Sequence, residues 1–166
     1  MLKLLQLVGY TRTVLFIFAT LFAIVTWWTG VLPALWRLGN GLARRKIALF
    51  ARGDNLTSLK ALLLDSGLVK SKNIIEIARP EDLGRGDAAS LYLVYWHDWA
   101  AEIDAILNKK PDKCALIVYS PYDKEKIPTD QMKKLDGKRH TAVTNFRGRL
   151  LNDLVASMIT TSYEKG

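Results

Sequence analysis

The sequence predicts an α/β protein, in which a single N-terminal transmembrane helix is followed by a five-stranded parallel sheet with helices on both faces. Three observations carry that expectation. Thr13 to Trp36 runs for 24 positions without a charged residue. From Lys46 onward, short apolar runs alternate with segments of helical periodicity, and parallel strands need such crossovers. About 120 residues follow from Lys46 onward, enough for one hydrophobic core and too few for two.

A helix over Thr13 to Trp36 would be about 36 Å long, against a hydrocarbon core of about 30 Å. A secretory signal has an apolar core of only about 7–15 residues before a small-residue cleavage site. The run here is longer, and Arg37, Arg44, Arg45 and Lys46 follow it. A retained anchor is therefore expected, with residues 1–38 as N-terminal segment and span and 39–45 as a basic hinge. Lys3 and Arg12 precede the span and four basic residues follow it, so the positive-inside bias places residues 46–166 in the cytoplasm of a bacterial inner membrane. Trp27, Trp28 and Trp36 suit the inner interface.

Each element of the soluble part has its own signal. Lys46 to Phe50 is a candidate first strand, and Asn55 to Ser66 a helix with Leu59, Leu62 and Leu63 on one face, stopped at Gly67. Asn73 to Ile77 is the second strand. A loop with Pro80, Gly84 and Gly86 leads to Ser90–Trp96, the strongest strand signal. Trp99 to Asn108 reads as a helix, Cys114 to Tyr119 as a strand, Thr129 to Leu135 as a short helix, and Arg139 to Thr144 as the fifth strand. Arg149 to Thr160 closes the chain as a helix carrying Leu150, Leu151, Leu154, Val155 and Met158. The whole is a Rossmann-like arrangement.

Charge narrows the function classes. The net +8 of the chain divides unevenly. Residues 1–53 hold seven basic and no acidic side chains, leaving 17 basic and 16 acidic over residues 54–166. The basic excess thus belongs beside the span, where each cation gains about 1 kcal/mol from anionic headgroups. Direct binding of DNA or RNA duplex is not expected. The single Cys114, inside an apolar run, permits no intrachain disulfide and reads as a buried small hydrophobe.

Ligands of open doubly wound sheets bind beyond the C-terminal ends of the strands. The candidates there are Arg52, Gly53, Asp54, Asn55, Thr57 and Ser58 after the first strand, Trp96, His97 and Asp98 after the third, and Ser120, Pro121 and Tyr122 after the fourth. Asn145, Phe146, Arg147, Gly148 and Arg149 come after the fifth. Asp54-Asn55 also reads as an N-cap. Two arginines at a helix N-terminus oppose its dipole unless an anion sits there, held by free N–H groups and guanidinium forks. The alternative is pairing with surface carboxylates. No P-loop is present, and Gly84-Arg-Gly86 precedes a strand, the wrong side for a dinucleotide fingerprint. Two distant histidines and one cysteine make no metal site, and no cofactor is expected.

One spanning helix followed by a small Rossmann-like domain, with Asn145-Phe-Arg-Gly-Arg149 between last strand and last helix, resembles the CRISPR-associated membrane effectors. In that family a CARF domain senses cyclic oligoadenylate. The resemblance implies a nucleotide second messenger bound by Asp54, Asn55, Thr57, Ser58, Asn145, Arg147, Gly148 and Arg149. The chain lacks the glycine-glycine-threonine-lysine signature of that family. A second resemblance competes: Ser90 to Glu102 is similar to the third-strand-to-helix segment of TIR domains, which would make Glu102 the catalytic carboxylate of an NAD glycohydrolase. On a helix Glu102 reads equally as a surface carboxylate, and a non-catalytic signalling adaptor is a third reading.

Ala19, Ala23, Thr26, Gly30 and Ala34 form a stripe of small residues of the kind that lets transmembrane helices approach closely. One helix encloses no conduction path, so an effect on the membrane requires a homo-oligomer. A pore would be lined by threonines or by apolar side chains.

Overall fold

The computed structural model describes residues 2–31, 39 and 45–161, which fall into two compact units, Met1–Asn40 and Gly41–Gly166.

In the first unit, α1 spans Leu2–Thr26 and passes into a π-helical turn, Trp27–Val31. The helix starts well before Thr13 because the charge-free window marks apolarity, while Leu2 to Arg12 holds no helix breaker apart from Gly9. Within it, Arg12–Gly30 is long and apolar enough to cross a membrane, and its described side chains are exposed. Its threonines satisfy themselves: the Thr20, Thr26 and Thr29 hydroxyls donate to the carbonyls of Phe16, Phe22 and Val25 at 2.8, 2.7 and 2.7 Å. A hydroxyl bonded to its own helix carries little penalty in hydrocarbon. Ala34, Trp36 and most of the expected hinge lie outside the described residues.

The second unit is a parallel sheet in the order β2-β1-β3-β4-β5. Its strands are β1 (Ile47–Phe50), β2 (Ile74–Ile77), β3 (Leu91–Tyr95), β4 (Ala115–Tyr119) and β5 (Thr141–Thr144). Register pairs Leu49 with Leu93, Leu93 with Ile117, and Ile117 with Ala142. β1, β3 and β4 are buried on both faces, which is why Ile-Ala-Leu-Phe, Leu-Tyr-Leu-Val-Tyr and Ala-Leu-Ile-Val-Tyr read as unbroken apolar runs. β5, at the edge, carries Thr-Ala-Val-Thr with only Thr144 buried.

Two helices cover one face: α2 (Gly53–Asp65) and the C-terminal α6 (Arg147–Thr160). Leu59, Leu63, Leu150, Leu154 and Met158 pack there on Leu49, Leu93 and Ile117. The other face takes a one-turn α3 (Trp96–Trp99), α4 (Ile103–Lys109) and α5 (Thr129–Asp136). Trp99, Ile103, Ile106 and Leu135 meet Phe50, Val94 and Val118, with Phe50 edge-on to Trp99 at 5.5 Å.

Several boundaries differ from expectation, each for a local reason. The helix expected over Trp99–Asn108 is broken at Ala100–Glu102, where Glu102 leaves helical backbone at φ −99° and ψ 6°. The segment expected as a loop after β2 is a nine-residue 3-10 helix, Pro80–Ala88, started by a proline whose missing N–H costs nothing at that position. The glycine at its base, Gly86, lies where a Cβ would come within 3.3 Å of Ile77 and Tyr92. α2 begins at Gly53 rather than Asn55, because Gly53 takes φ +50° and turns the chain straight from β1 into the helix.

Candidate functional site

The sheet order reverses between β1 and β3, where a doubly wound sheet opens its ligand crevice. Here side chains that follow β1 and β3 bond one another. Asp98, in α3, accepts the Arg52 backbone N–H at 2.7 Å and the Asn55 side-chain amide at 3.0 Å. The carboxylate caps α2 from across the sheet and sits at the positive end of its dipole. The Arg52 guanidinium lies 4.7 Å above the Trp99 ring and donates to Glu102 Oε1 at 3.1 Å. The guanidinium is thus matched by the Glu102 carboxylate and the Trp99 ring face, and the Asp98 carboxylate by the two N–H donors.

The expectation that Asp54-Asn55 forms an N-cap is therefore corrected. Both lie inside the first turn of α2, the N-cap residue is Arg52, and the capping oxygen comes from Asp98. Asn55 turns its amide to the same carboxylate.

Open space lies instead beyond β3, β4 and β5. A cleft of about 280 Å³ is floored by Tyr95 and Tyr119, the last residues of their strands, whose rings meet edge-to-face at 5.8 Å. Asn55 and Ser58 of α2 form one wall, Pro121, Asp123 and Lys124 another, and Arg147 of α6 a third. Burial raises the Tyr119 phenol, while the positive charge of Arg147 pulls it back down. Burial also raises Tyr95, reinforced by the negative charge of Asp98. Both phenols remain neutral donors at neutral pH. Arg147 Nη2 donates to the Ser58 carbonyl at 3.0 Å, which fixes the guanidinium at the rim and leaves its other donors without a partner among the described residues.

A second cleft, about 560 Å³, adjoins the first and shares Pro121 and Lys124 with it. Ser120, Tyr122, Lys126, Ile127, Met132, Val143 and Asn145 complete its lining. Beside it the rings of Tyr122 and Phe146 lie 6.1 Å apart and nearly parallel, at 8°, although both are exposed. An exposed pair of parallel rings next to two lysines suits a flat, anionic ligand.

The residues picked out from the sequence are thus divided by the structure. Asn55, Ser58 and Arg147 come together around the smaller cleft, and Ser120 and Asn145 around the larger. Ser120 is buried, with its N–H on the Thr144 carbonyl at 3.0 Å, so it ties β4 to β5 at the cleft floor. Asp54, Thr57, Gly148 and Arg149 are exposed and line neither cleft; the Thr57 hydroxyl points back to the Gly53 carbonyl at 3.4 Å. Trp96 is packed in the core of the α3–α5 face. His97 is half-buried, 5.9 Å from the Tyr95 ring, and lines neither cleft. Glu102 also stands outside both. Neither Arg147 nor Arg149 pairs with a carboxylate among the described residues.

Sequence reasoning passes over Tyr95, Tyr119, Asp123, Lys124 and Lys126. The tyrosines are readable as the terminal residues of two strands, since alternation turns both toward the α2–α6 face. The Asp123 to Lys126 loop carries no pattern that distinguishes it from any solvated turn. No group of His, Cys, Asp and Glu able to hold a metal ion occurs among the described residues. Comparison with protein-family models, with curated proteins and with solved structures finds no match to this chain.

Proposed function

We propose that this protein is a membrane-anchored sensor of a phosphorylated, ring-bearing ligand, of which a nucleotide second messenger of the cyclic oligoadenylate class is the leading candidate. The observation that carries the reading is the pair of adjoining clefts beyond β3, β4 and β5. Tyrosine rings floor one and a parallel Tyr122–Phe146 pair borders the other. Lys124, Lys126 and Arg147 supply cations around them. Aromatic faces bind bases with little regard to sequence, and guanidinium and ammonium groups bind phosphate.

In this reading α1 is a retained span and the domain faces the cytoplasm. Ligand binding at the clefts is relayed to self-associated helices, which perturb the membrane as an antiviral defence in bacteria. A span without an ionisable residue between Thr13 and Trp36 supports an apolar or threonine-bearing helix contact rather than a fixed ion site. The NAD glycohydrolase reading has less support, because Glu102 is held by Arg52 and lies outside both clefts.

The test is reconstitution of the full chain into dye-filled liposomes, with subsequent addition of cyclic tetra-adenylate, ATP or inorganic phosphate. Dye release on the cyclic oligonucleotide alone supports the reading. Intact liposomes at saturating ligand, with protein confirmed in the bilayer, would refute the membrane step.

A further inference from the structure

We infer that the edge of the sheet at which the strands begin is a docking surface for anionic lipid headgroups. All strands are parallel, so the segments that lead into them gather at one edge. Lys46 precedes β1, Lys70 and Lys72 precede β2, Lys113 precedes β4, and Lys138 precedes β5; all five are exposed. Across the leading segments 45–46, 66–73, 89–90, 110–114 and 137–140, Asp112 is the only acid, while Asp65, Asp87 and Asp136 stand at the ends of the helices that run into them. None of the five lysines has an ion-pair partner among the described residues.

The opposite edge is balanced. Asp123-Lys124-Glu125-Lys126 alternates in sign, and Arg52 stands against Asp98 and Glu102. The near-neutral total of residues 54–166 therefore conceals a polarised domain. Helix dipoles do not account for it. The helices run back against the strands, and their negative ends explain lysines in last turns, such as Lys109 and Lys134. Those two already pair with Asp87 and Asp104. Lys138 directly follows the C-cap of α5 and Lys72 lies in a single 3-10 turn, Ser71–Asn73, but Lys46, Lys70 and Lys113 lie in connecting segments farther from a helix end.

The chain itself identifies the occupant. The apolar helix and the basic stretch with Arg37 and Arg44 run directly into β1, so the tether joins the sheet at this same edge. A positive edge at the end of a membrane tether is complementary to an anionic leaflet. The inference rests on α1 spanning the membrane. Its consequence is an orientation: the two clefts, at the opposite ends of the strands, are turned away from the bilayer and open to a diffusing ligand.

The test uses the full chain in nanodiscs of phosphatidylcholine alone or of phosphatidylcholine with phosphatidylglycerol, labelled with an amine-acylating reagent and read by mass spectrometry. Lys72, Lys113 and Lys138 should react about fivefold more slowly in the anionic discs, the change expected from direct headgroup attraction. Lys124 and Lys126 should react equally in both. Salt at about 0.5 M, where the screening length falls to roughly 4 Å, should erase the difference. Equal reactivity of all lysines in both discs would overturn the inference while leaving the span intact. Failure of the chain to co-elute with either disc would overturn the span and the inference together. Protection of these lysines by duplex DNA in zwitterionic discs, with none from anionic lipid, would assign the edge to nucleic acid and overturn it as well.

Discussion

Asp98 accepts the backbone N–H of Arg52 at 2.7 Å, and this bond joins the turn after β1 to the turn after β3. A carboxylate of the protein itself thereby bridges the place where a doubly wound sheet opens for its ligand. The contact caps α2 and satisfies the Asn55 amide, and two adjoining clefts lie open beyond β3, β4 and β5.

Removing that carboxylate should loosen the domain. Asp98→Ala leaves the Arg52 N–H and the Asn55 amide without their acceptor, at a cost of about 1–3 kcal/mol. Asp98→Asn, which keeps one acceptor oxygen, should recover part of it. Urea unfolding of the detergent-solubilised protein, monitored by tryptophan fluorescence, reads the difference because Trp99 sits directly beneath Arg52.

The two arginines at the start of α6 should separate. Arg147 lines the smaller cleft and Arg149 does not. A charge-assisted contact to phosphate is worth roughly 1.5–3 kcal/mol, so Arg147→Ala should weaken a phosphorylated ligand at least about tenfold. Arg149→Ala should change affinity little. Calorimetry on the single variants distinguishes this from a shared role of the pair.

Glu102→Ala should leave ligand affinity unchanged. The Arg52–Glu102 pair is partly exposed, and its loss should lower stability by no more than about 1 kcal/mol. An NAD-consumption assay with the full chain checks the rival chemistry: turnover abolished by Glu102→Ala would favour the hydrolase.

Alkaline pH should destabilise the core. Burial pushes the Cys114 thiol and the Tyr92 phenol each up to about 12, from ordinary values near 9 and 10. The folded state then holds protons that the unfolded chain releases. The stability contributed by the neutral groups is complete below their unfolded values and falls as pH rises toward about 12, by up to about 1.4 kcal/mol per pH unit for each group. Cys114→Ala and Tyr92→Phe should each flatten the decline of unfolding midpoint above about pH 9.

The sheet is legible in the sequence because β1, β3 and β4 are buried on both faces and must be apolar throughout, as in Leu91–Tyr95 and Ala115–Tyr119. Helix starts are less so. Gly53 opens α2 through a left-handed turn, and the cap arrives from Asp98, forty-six positions away from Arg52, which no local spacing announces. Trp96 comes directly after a strand and so reads as rim, yet its ring is core, because the chain enters α3 at once and turns it beneath the sheet. Asn55, Ser58 and Arg147 are legible because they lie a few residues past the ends of β1 and β5, at the rim where ligands of such sheets bind. Tyr95 and Tyr119 escape that criterion, since they are the last residues inside their strands and count there as core.

The central claim is that the clefts beyond β3, β4 and β5 bind a phosphorylated, ring-bearing ligand. The most direct measurement is calorimetric titration of the detergent-solubilised full chain with cyclic tetra-adenylate, beside its Tyr122→Ala and Arg147→Ala variants. Saturable binding is expected in the parent, weakened at least about tenfold by Arg147→Ala. Tyr122→Ala should cost a comparable amount, since base–aromatic stacking is worth about 1–3 kcal/mol. Absence of heat for this ligand would reject the cyclic oligoadenylate assignment, and binding that both variants leave unchanged would contradict the placement of the site.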